Sequence, residues 1–348
     1  MSKRADRDMN LTASASNELP NQGLDNQELH NQRLHNRRLQ IYTQFNEIFG
    51  DHFQLNVSLS RYTSARVGGP AEMFVTVKNG TELQTAVELA YAQQVPYFIL
   101  GGGSNILVAD AGVSGLIIMN KARAVTYRHT GASVICTAES GMNLSSLARQ
   151  CIAKGLAGLE WAISVPGTVG GAVVGNSGAH GGDMNSTLRA ATIWEPGRGV
   201  RIYSQEELAY DYRDSTLKQE QARSAPRRVV LSAELELAPE PVEVLMARAD
   251  GFTAHRKQTQ PGGASVGSMF KNPPNYYAGY LIEAAGLKGF RIAGSHISEK
   301  HANFFVNDKD ATAEDIRALL AEAWNSVREQ FGVEMELEVE LVGDWNFE

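Results

Sequence analysis

Apolar positions follow two periods along most of the chain. Residues 73–77 (MFVTV) and 97–100 (YFIL) are short β-branched or aromatic runs that read as strands, and residues 81–94 (TELQTAVELAYAQQ) carry helical spacing behind a capping threonine. Strand, helix, strand in that order predicts a βαβ unit. LIIMN (116–120), AVTYRHT (124–130) and ASVICTAES (132–140) add strands, and Asn143 opens a helix that runs to Lys154 and closes at Gly155. ATIW (191–194), RIYS (201–204) and VVLSAELEL (229–237) predict a second α+β lobe. A helix-rich segment follows from Val242. Its last helix starts with the Thr312-x-x-Asp315 capping pattern, ends at Phe331 before Gly332, and leads into a closing strand, ELEVELVG (336–343). The acidic, proline-bearing LAPEPVE (237–243) marks a domain boundary.

The first forty residues are different in kind. NQGLD NQELH NQRLH NRRLQ (21–40) repeats N-x-x-L-x. Five residues turn a helix by about 500°, so the leucines spiral around the axis instead of forming a stripe. A solvated, disordered Asn/Gln-rich tail over residues 1–40 is expected.

A chain of 348 residues can hold two or three lobes with separate cores. Its formal net charge of -7 argues against a nucleic-acid partner, which needs a basic surface to release counterions. Cys136 and Cys151 are the only cysteines, so neither a disulfide framework nor a CxxC metal site can be built. His255 and His301 have no His or Cys partner at metal-ligand spacing. No run approaches 18 apolar residues and the first forty residues lack the apolar centre of an export signal, so no membrane span and a cytoplasmic protein are expected.

Two glycine-rich stretches carry the candidate chemistry. In YFILGGGSN (97–105) three glycines, Gly101, Gly102 and Gly103, follow a strand end, with Ser104 and Asn105 behind them. Such bare backbone can present several N-H groups to a phosphate, or can simply make a tight turn. It is not the G-x-G-x-x-G dinucleotide fingerprint, because Ile106 stands at the last glycine, and no G-x-x-x-x-G-K-[ST] occurs. Residues 162–184 (AISVPGTVGGAVVGNSGAHGGDM) hold seven glycines, too many for an ordinary helix after Pro166. Two such clusters suit a long ligand with a pyrophosphate in its middle.

RYTSARVGGPA (61–71), LGGGSN (100–105), VPGTVGGAVVGNSGA (165–179), YRDS (212–215), GSMFKNP (267–273) and KHANFFVN (300–307) together resemble the UDP-N-acetylenolpyruvoylglucosamine reductase (MurB) family, over roughly residues 45–343. The resemblance implies an α+β fold: an FAD-binding domain of the vanillyl-alcohol-oxidase type over 41–240, with lobes near 41–107 and 108–240, and a C-terminal substrate-binding domain over 241–348. It implies non-covalent FAD held by Gly101, Gly102, Gly103, Ser104, Asn105, Pro166, Gly167, Gly170, Gly171 and Ala172. The implied reaction is NADPH-dependent reduction of the enolpyruvyl group of UDP-N-acetylglucosamine-enolpyruvate to UDP-N-acetylmuramate, for peptidoglycan synthesis. Hydride passes from flavin N5 to C3, and the enolate at C2 is stabilised and then protonated.

Residue by residue, Arg213 matches the family's enolate-stabilising arginine, Ser268 its proton donor and Glu338 its glutamate. Tyr212, Asn272 and Lys300 match substrate-binding positions. Alternation puts Glu334, Glu336, Glu338 and Glu340 on one strand face, and only the register with Phe331-Gly332 singles out Glu338. The chain lacks the extra tyrosine-bearing loop of one form of the family, since QPGGASVGS (260–268) runs straight into the serine motif. His180 invites a covalent-flavin reading that the family does not share. An oxidase of the same fold and a non-catalytic nucleotide-sugar-binding protein are the alternatives.

Overall fold

The computed structural model describes residues 26–221 and 226–345, and the chain divides into two compact units, one ending at Glu47 and the other beginning at Ile48. Helix α1 (Asn26–Phe49) contains the repeat from Asn26 onward, where a tail without regular structure was expected to residue 40. The physical reason is composition, because the helix has no Gly or Pro and is filled by Leu, Arg, Gln and Glu. The spiral of leucines is retained: Leu29, Leu34 and Leu39 are all exposed. Residues 1–25 of the expected tail lie outside the described residues.

In the second unit, β1 (Phe53–Ser58), β2 (Pro70–Val77), α2 (Gly80–Ala92), β3 (Tyr97–Leu100), β4 (Ile106–Val108) and β5 (Val113–Asn120) come first. One sheet has the order β1-β2-β5-β3, with β5 parallel to both its neighbours. Its last six residues are all buried, the pattern of a parallel strand covered on both faces. Asn79 caps α2 by accepting from the Glu82 N-H at 2.9 Å, two residues before the expected threonine. Because β5 completes this sheet, the chain leaves it only after Asn120, later than the lobe boundary expected near residue 107.

Next come β6 (Val125–Thr130), β7 (Ser133–Glu139), α3 (Leu144–Ala153), β8 (Leu156–Ala157), α4 (Val169–Gly175), β9 (Gly178–Ala179), β10 (Gly182–Asp183), β11 (Leu188–Glu195), β12 (Gly199–Ser204), α5 (Thr216–Gln221) and β13 (Val229–Pro239). The second sheet runs β12-β11-β13-β7-β6, antiparallel throughout. The glycine-rich segment does form a helix, α4, contrary to expectation. Thr168 caps it, and Val169, Ala172 and Val173 bury into the core of this sheet, so packing overrides weak propensity. α6 (Val242–Thr259) places Leu245 and Ala249 in the same core, although it lies beyond the boundary expected at residue 240.

The rest comprises α7 (Ala278–Ala284), a small sheet of β14 (Arg291–Ile292), β15 (Ser295–Ile297) and β16 (Phe305–Asn307), then α8 (Ala313–Phe331) and β17 (Glu340–Val342). α8 carries the expected capping box, Thr312 with Asp315, and ends at Gly332 in the left-handed region. Asp110 reinforces the cap from the first sheet's side, accepting from the Ala313 and Glu314 N-H groups at 3.0 Å. β17 pairs in parallel with β4 and is shorter than expected. Residues 336–338 instead bond to the serine segment, with Lys271 N-H donating to Glu336 O at 2.8 Å and Glu338 N-H to Met269 O at 2.9 Å.

Candidate functional site

The first glycine run leaves β3 and turns sharply under the second cluster. A Cβ on Gly101 would stand 2.6 Å from Thr168 Oγ1, and one on Gly102 would stand 2.8 Å from the Gly167 Cα. These glycines therefore let the two loops touch. A Cβ on Gly103, at φ +60°, would stand closer still to the Tyr62 carbonyl. The main-chain N-H groups of Gly101 to Asn105 donate to no acceptor among the described residues, while the carbonyls of Gly103 and Asn105 accept from Ser64 and Glu340. Five consecutive free donors beside a groove fit a dinucleotide's phosphates. The groove is lined by β3, residues 101–106, Asn120, Ser140, Gly167, Thr168, Gly170, Gly171, Lys218 and Arg227. Asn120 donates to Ser140 Oγ at 2.8 Å, which fixes the far wall.

Next to the groove lies a cavity of about 450 Å³ whose lining includes Arg213, Ser268 and Glu338, residues 55 and more apart in sequence. Ser104, Asn105, Gly171, Gly175 and Lys218 line both spaces, so the two are continuous. Arg213 sits at the tip of a two-residue turn closed by Asp211 and Asp214, at φ +56°, an unusual conformation for a long side chain. The turn is held by Asn176, whose amide donates to Asp211 O at 3.0 Å, and by Lys218, whose ammonium donates to Arg213 O at 3.0 Å. The guanidinium donates to Gly178 O at 2.7 Å through Nη2, and its Nε stands 2.8 Å from Glu338 Oε1, an ion pair outside hydrogen-bond geometry.

Glu338 is fixed from both sides. Its N-H reaches the serine segment at Met269 O, and its carbonyl accepts from the Asn105 side chain at 3.0 Å, so it bridges Ser268's strand to the glycine run. Burial pushes its carboxyl above the usual range, and the Arg213, Lys218 and Lys271 charges pull it back down without cancelling the shift. Of the four alternating glutamates, Glu334 and Glu336 are exposed and Glu340 pairs with Arg227, so only Glu338 enters the cavity. Ser268 is half-buried and its hydroxyl has no hydrogen-bond partner among the described residues. Asn303 sets its segment by taking both main-chain polar groups of Phe270, at 2.9 and 2.8 Å.

The other expected residues divide. Pro166 lines the cavity, and Gly167, Gly170 and Gly171 line the groove, whereas Ala172 is 2% exposed and turns into the core. Asn272 Oδ1 accepts from Ala278 N-H at the start of α7, and its amide donates to the Tyr212 hydroxyl at 3.4 Å, so these two meet beside Arg213 without lining the cavity. Lys300 is not in the lining. Its ammonium donates to Lys257 O at 2.6 Å, because the tight turn after Ser298 points it back toward α6.

Several lining residues carry no motif signal. His180 is at the tip of the β9–β10 hairpin with Gly181, both at positive φ, and its ring stacks on Phe252 at 4.5 Å and 8°. Burial and the neighbouring His255 and Arg256 hold its imidazole below the usual value. Arg256 also lines the cavity and is depressed by burial alone. Lys218, in YRDSTLK, was legible as a sequence neighbour of Arg213 but not as a lining cation.

A family model described as an FAD binding domain matches residues 71–200, and one described as UDP-N-acetylenolpyruvoylglucosamine reductase, C-terminal domain, matches residues 258–342. UDP-N-acetylenolpyruvoylglucosamine reductase of Chloroflexus aggregans is 41% identical over 287 residues, 82% of this chain and 96% of that one. Its counterpart in Listeria welshimeri is 38% identical over 293 residues, 84% and 95% of the two chains. Among solved structures, UDP-N-acetylenolpyruvylglucosamine reductase from Thermus caldophilus aligns with TM-score 0.70 at 36% identity, covering 82% of this chain and 97% of that one. The expected α+β flavoprotein fold is borne out, and FAD is the cofactor for which the free donors of residues 101–105 are suited. The chain belongs to the UDP-N-acetylenolpyruvoylglucosamine reductase family, a family of FAD-dependent oxidoreductases.

Proposed function

We propose that the protein reduces the enolpyruvyl group of UDP-N-acetylglucosamine-enolpyruvate to UDP-N-acetylmuramate with NADPH, as a cytoplasmic step of peptidoglycan synthesis, and that Arg213, Ser268 and Glu338 carry the chemistry. The observation that supports this most is that all three line one cavity that opens into the glycine-walled groove. FAD held along the groove by the free N-H groups of residues 101–105 would supply the two-electron hydride chemistry that links NADPH to the enolpyruvyl substrate. The protein's task is then the charge that develops at C2 and spreads into the substrate carboxylate. A guanidinium stays protonated throughout and has directional donors, so Arg213 stabilises this enolate.

Glu338 holds the Arg213 Nε and thereby aims the remaining donors, sharing in the stabilisation through its partner. Serine is a weak acid, but a basic enolate held against it is a strong proton acceptor. Ser268, with a hydroxyl not committed elsewhere, delivers the proton to C2. Tyr212 and Asn272, linked to each other at 3.4 Å, form the shoulder against which the nucleotide sugar is positioned.

The test is direct. Purified protein is expected to show the absorption of oxidised flavin, and NADPH is expected to be consumed in proportion to added enolpyruvyl substrate. A colourless protein that takes up no FAD, or NADPH oxidation that is fast with O2 and indifferent to the substrate, would overturn the assignment.

A further inference from the structure

Among the described residues, the one cation that lines both the flavin groove and the Arg213–Ser268–Glu338 cavity is Lys218. It stands on α5, one turn after the YRDS turn. Ser215 organises this start: its hydroxyl donates to Val174 O at 2.6 Å and accepts from the Lys218 N-H at 3.2 Å, which ties α5 to α4. Leu217 is buried in the core beside them, so the direction of Lys218 is set by packing on its neighbours. Its ammonium donates to the carbonyl of Arg213, the residue at φ +56°.

We propose that Lys218 is a positioning residue for the reduction: its ammonium clamps the Arg213 turn in the left-handed conformation that aims the guanidinium at the cavity and at its Glu338 partner. This inference rests on the function proposed above. Three observations carry it. The carbonyl of Arg213 has Lys218 as a charged donor, so the strained turn and the ammonium are one structure. The cations that act on Glu338 are Arg213, Lys218 and Lys271, and Lys271 is itself 2.9 Å from Glu336. Across the cavity, the titratable groups are His180, His255 and Arg256. Lys218 is held lower than usual by burial and by Lys271, against the opposing pull of Glu338, Asp214 and Glu340.

The variant is Lys218→Met, which keeps the length and removes the charge, with Lys218→Arg as the conservative counterpart. Rates are taken per bound flavin on the holoenzyme, with the two half-reactions separated by stopped flow. We expect K218M to reduce flavin with NADPH at close to the normal rate, and to reoxidise with the enolpyruvyl substrate about 10- to 100-fold more slowly, with kcat falling more than KM rises. The acid limb of kcat moves to higher pH, because removing a positive neighbour raises the Glu338 carboxyl further. K218R recovers a large part of the rate, and K218M/E338Q is no slower than E338Q alone, since both act through the same guanidinium. A crystal structure of K218M is expected to show Arg213 out of the left-handed region, a readout independent of turnover.

Normal reoxidation per flavin with an unmoved acid limb would overturn the proposal. So would an equal slowing of both half-reactions, or lost flavin occupancy with normal turnover of what remains, since either assigns Lys218 to the cofactor alone. Wild-type protein run in parallel separates the two levels: if it does not turn over the enolpyruvyl substrate, the functional reading fails first.

Discussion

The contact between the two glycine loops can be tested at Gly102. An alanine Cβ there would stand 2.8 Å from the Gly167 Cα and 3.3 Å from its N, and neither atom belongs to a side chain that can rotate away. Restoring an ordinary 3.4 Å separation requires the loops to part by about 0.6 Å, and overpacking of this kind costs about 1–3 kcal/mol. Expressed wholly in cofactor affinity, that is a weakening of about 5- to 150-fold. The assay is quenching of flavin fluorescence as FAD is titrated into apoprotein, with Gly131→Ala as control. Gly131, unlike Gly102, has a positive φ (+63°) but meets nothing within 4 Å, so its alanine costs about 1 kcal/mol of backbone strain and leaves FAD affinity alone. If G102A binds FAD as tightly as wild type while keeping its melting temperature, the loop contact does not shape the nest.

Ser268→Ala is expected to leave flavin reduction by NADPH intact and to slow reoxidation by substrate by about 10²- to 10⁴-fold; unchanged reoxidation removes the hydroxyl from the mechanism. Burial raises the Glu338 carboxyl, so its ionisation destabilises the fold, and the contribution is favourable below the ordinary glutamate range and lost as pH rises through the raised folded value. The melting temperature of apo Glu338→Gln relative to wild type is therefore expected to increase from pH 4 to pH 8, and a difference that shrinks over that range refutes the sign. Thr312→Ala removes the Asp315 N-H acceptor that caps α8 and is expected to cost about 1 kcal/mol, read as a lower denaturation midpoint at unchanged m-value.

Much of this was legible in the sequence where the signal is local. Strands β2, β3, β7 and β13, the Asn143 and Thr312 caps and the glycine clusters follow from period and residue type. What the pattern could not carry is partner choice over long separations. Nothing within residues 113–120 says that β5 inserts between β2 and β3, and nothing in 340–342 says that it pairs with 106–108. α4 was misjudged because glycine propensity was weighed without the buried Val169, Ala172 and Val173. The repeat from Asn26 to Gln40 was misjudged in the opposite direction, its low apolar periodicity outweighing good helix formers. Within the site, Arg213, Ser268 and Glu338 came from motif resemblance, and only the coordinates bring them to one cavity. Lys218 and Arg256 needed burial to be noticed, and Lys300 and Ala172 point elsewhere because turn geometry and core packing decide where a side chain goes.

The parallel pairing of β4 with β17 joins residue 106 to residue 340. During synthesis the glycine loop emerges long before the segment that clamps Asn105 from the other side. A chain cut before Glu338 therefore keeps most of the groove's lining and loses the acid together with the carbonyl to which Asn105 donates.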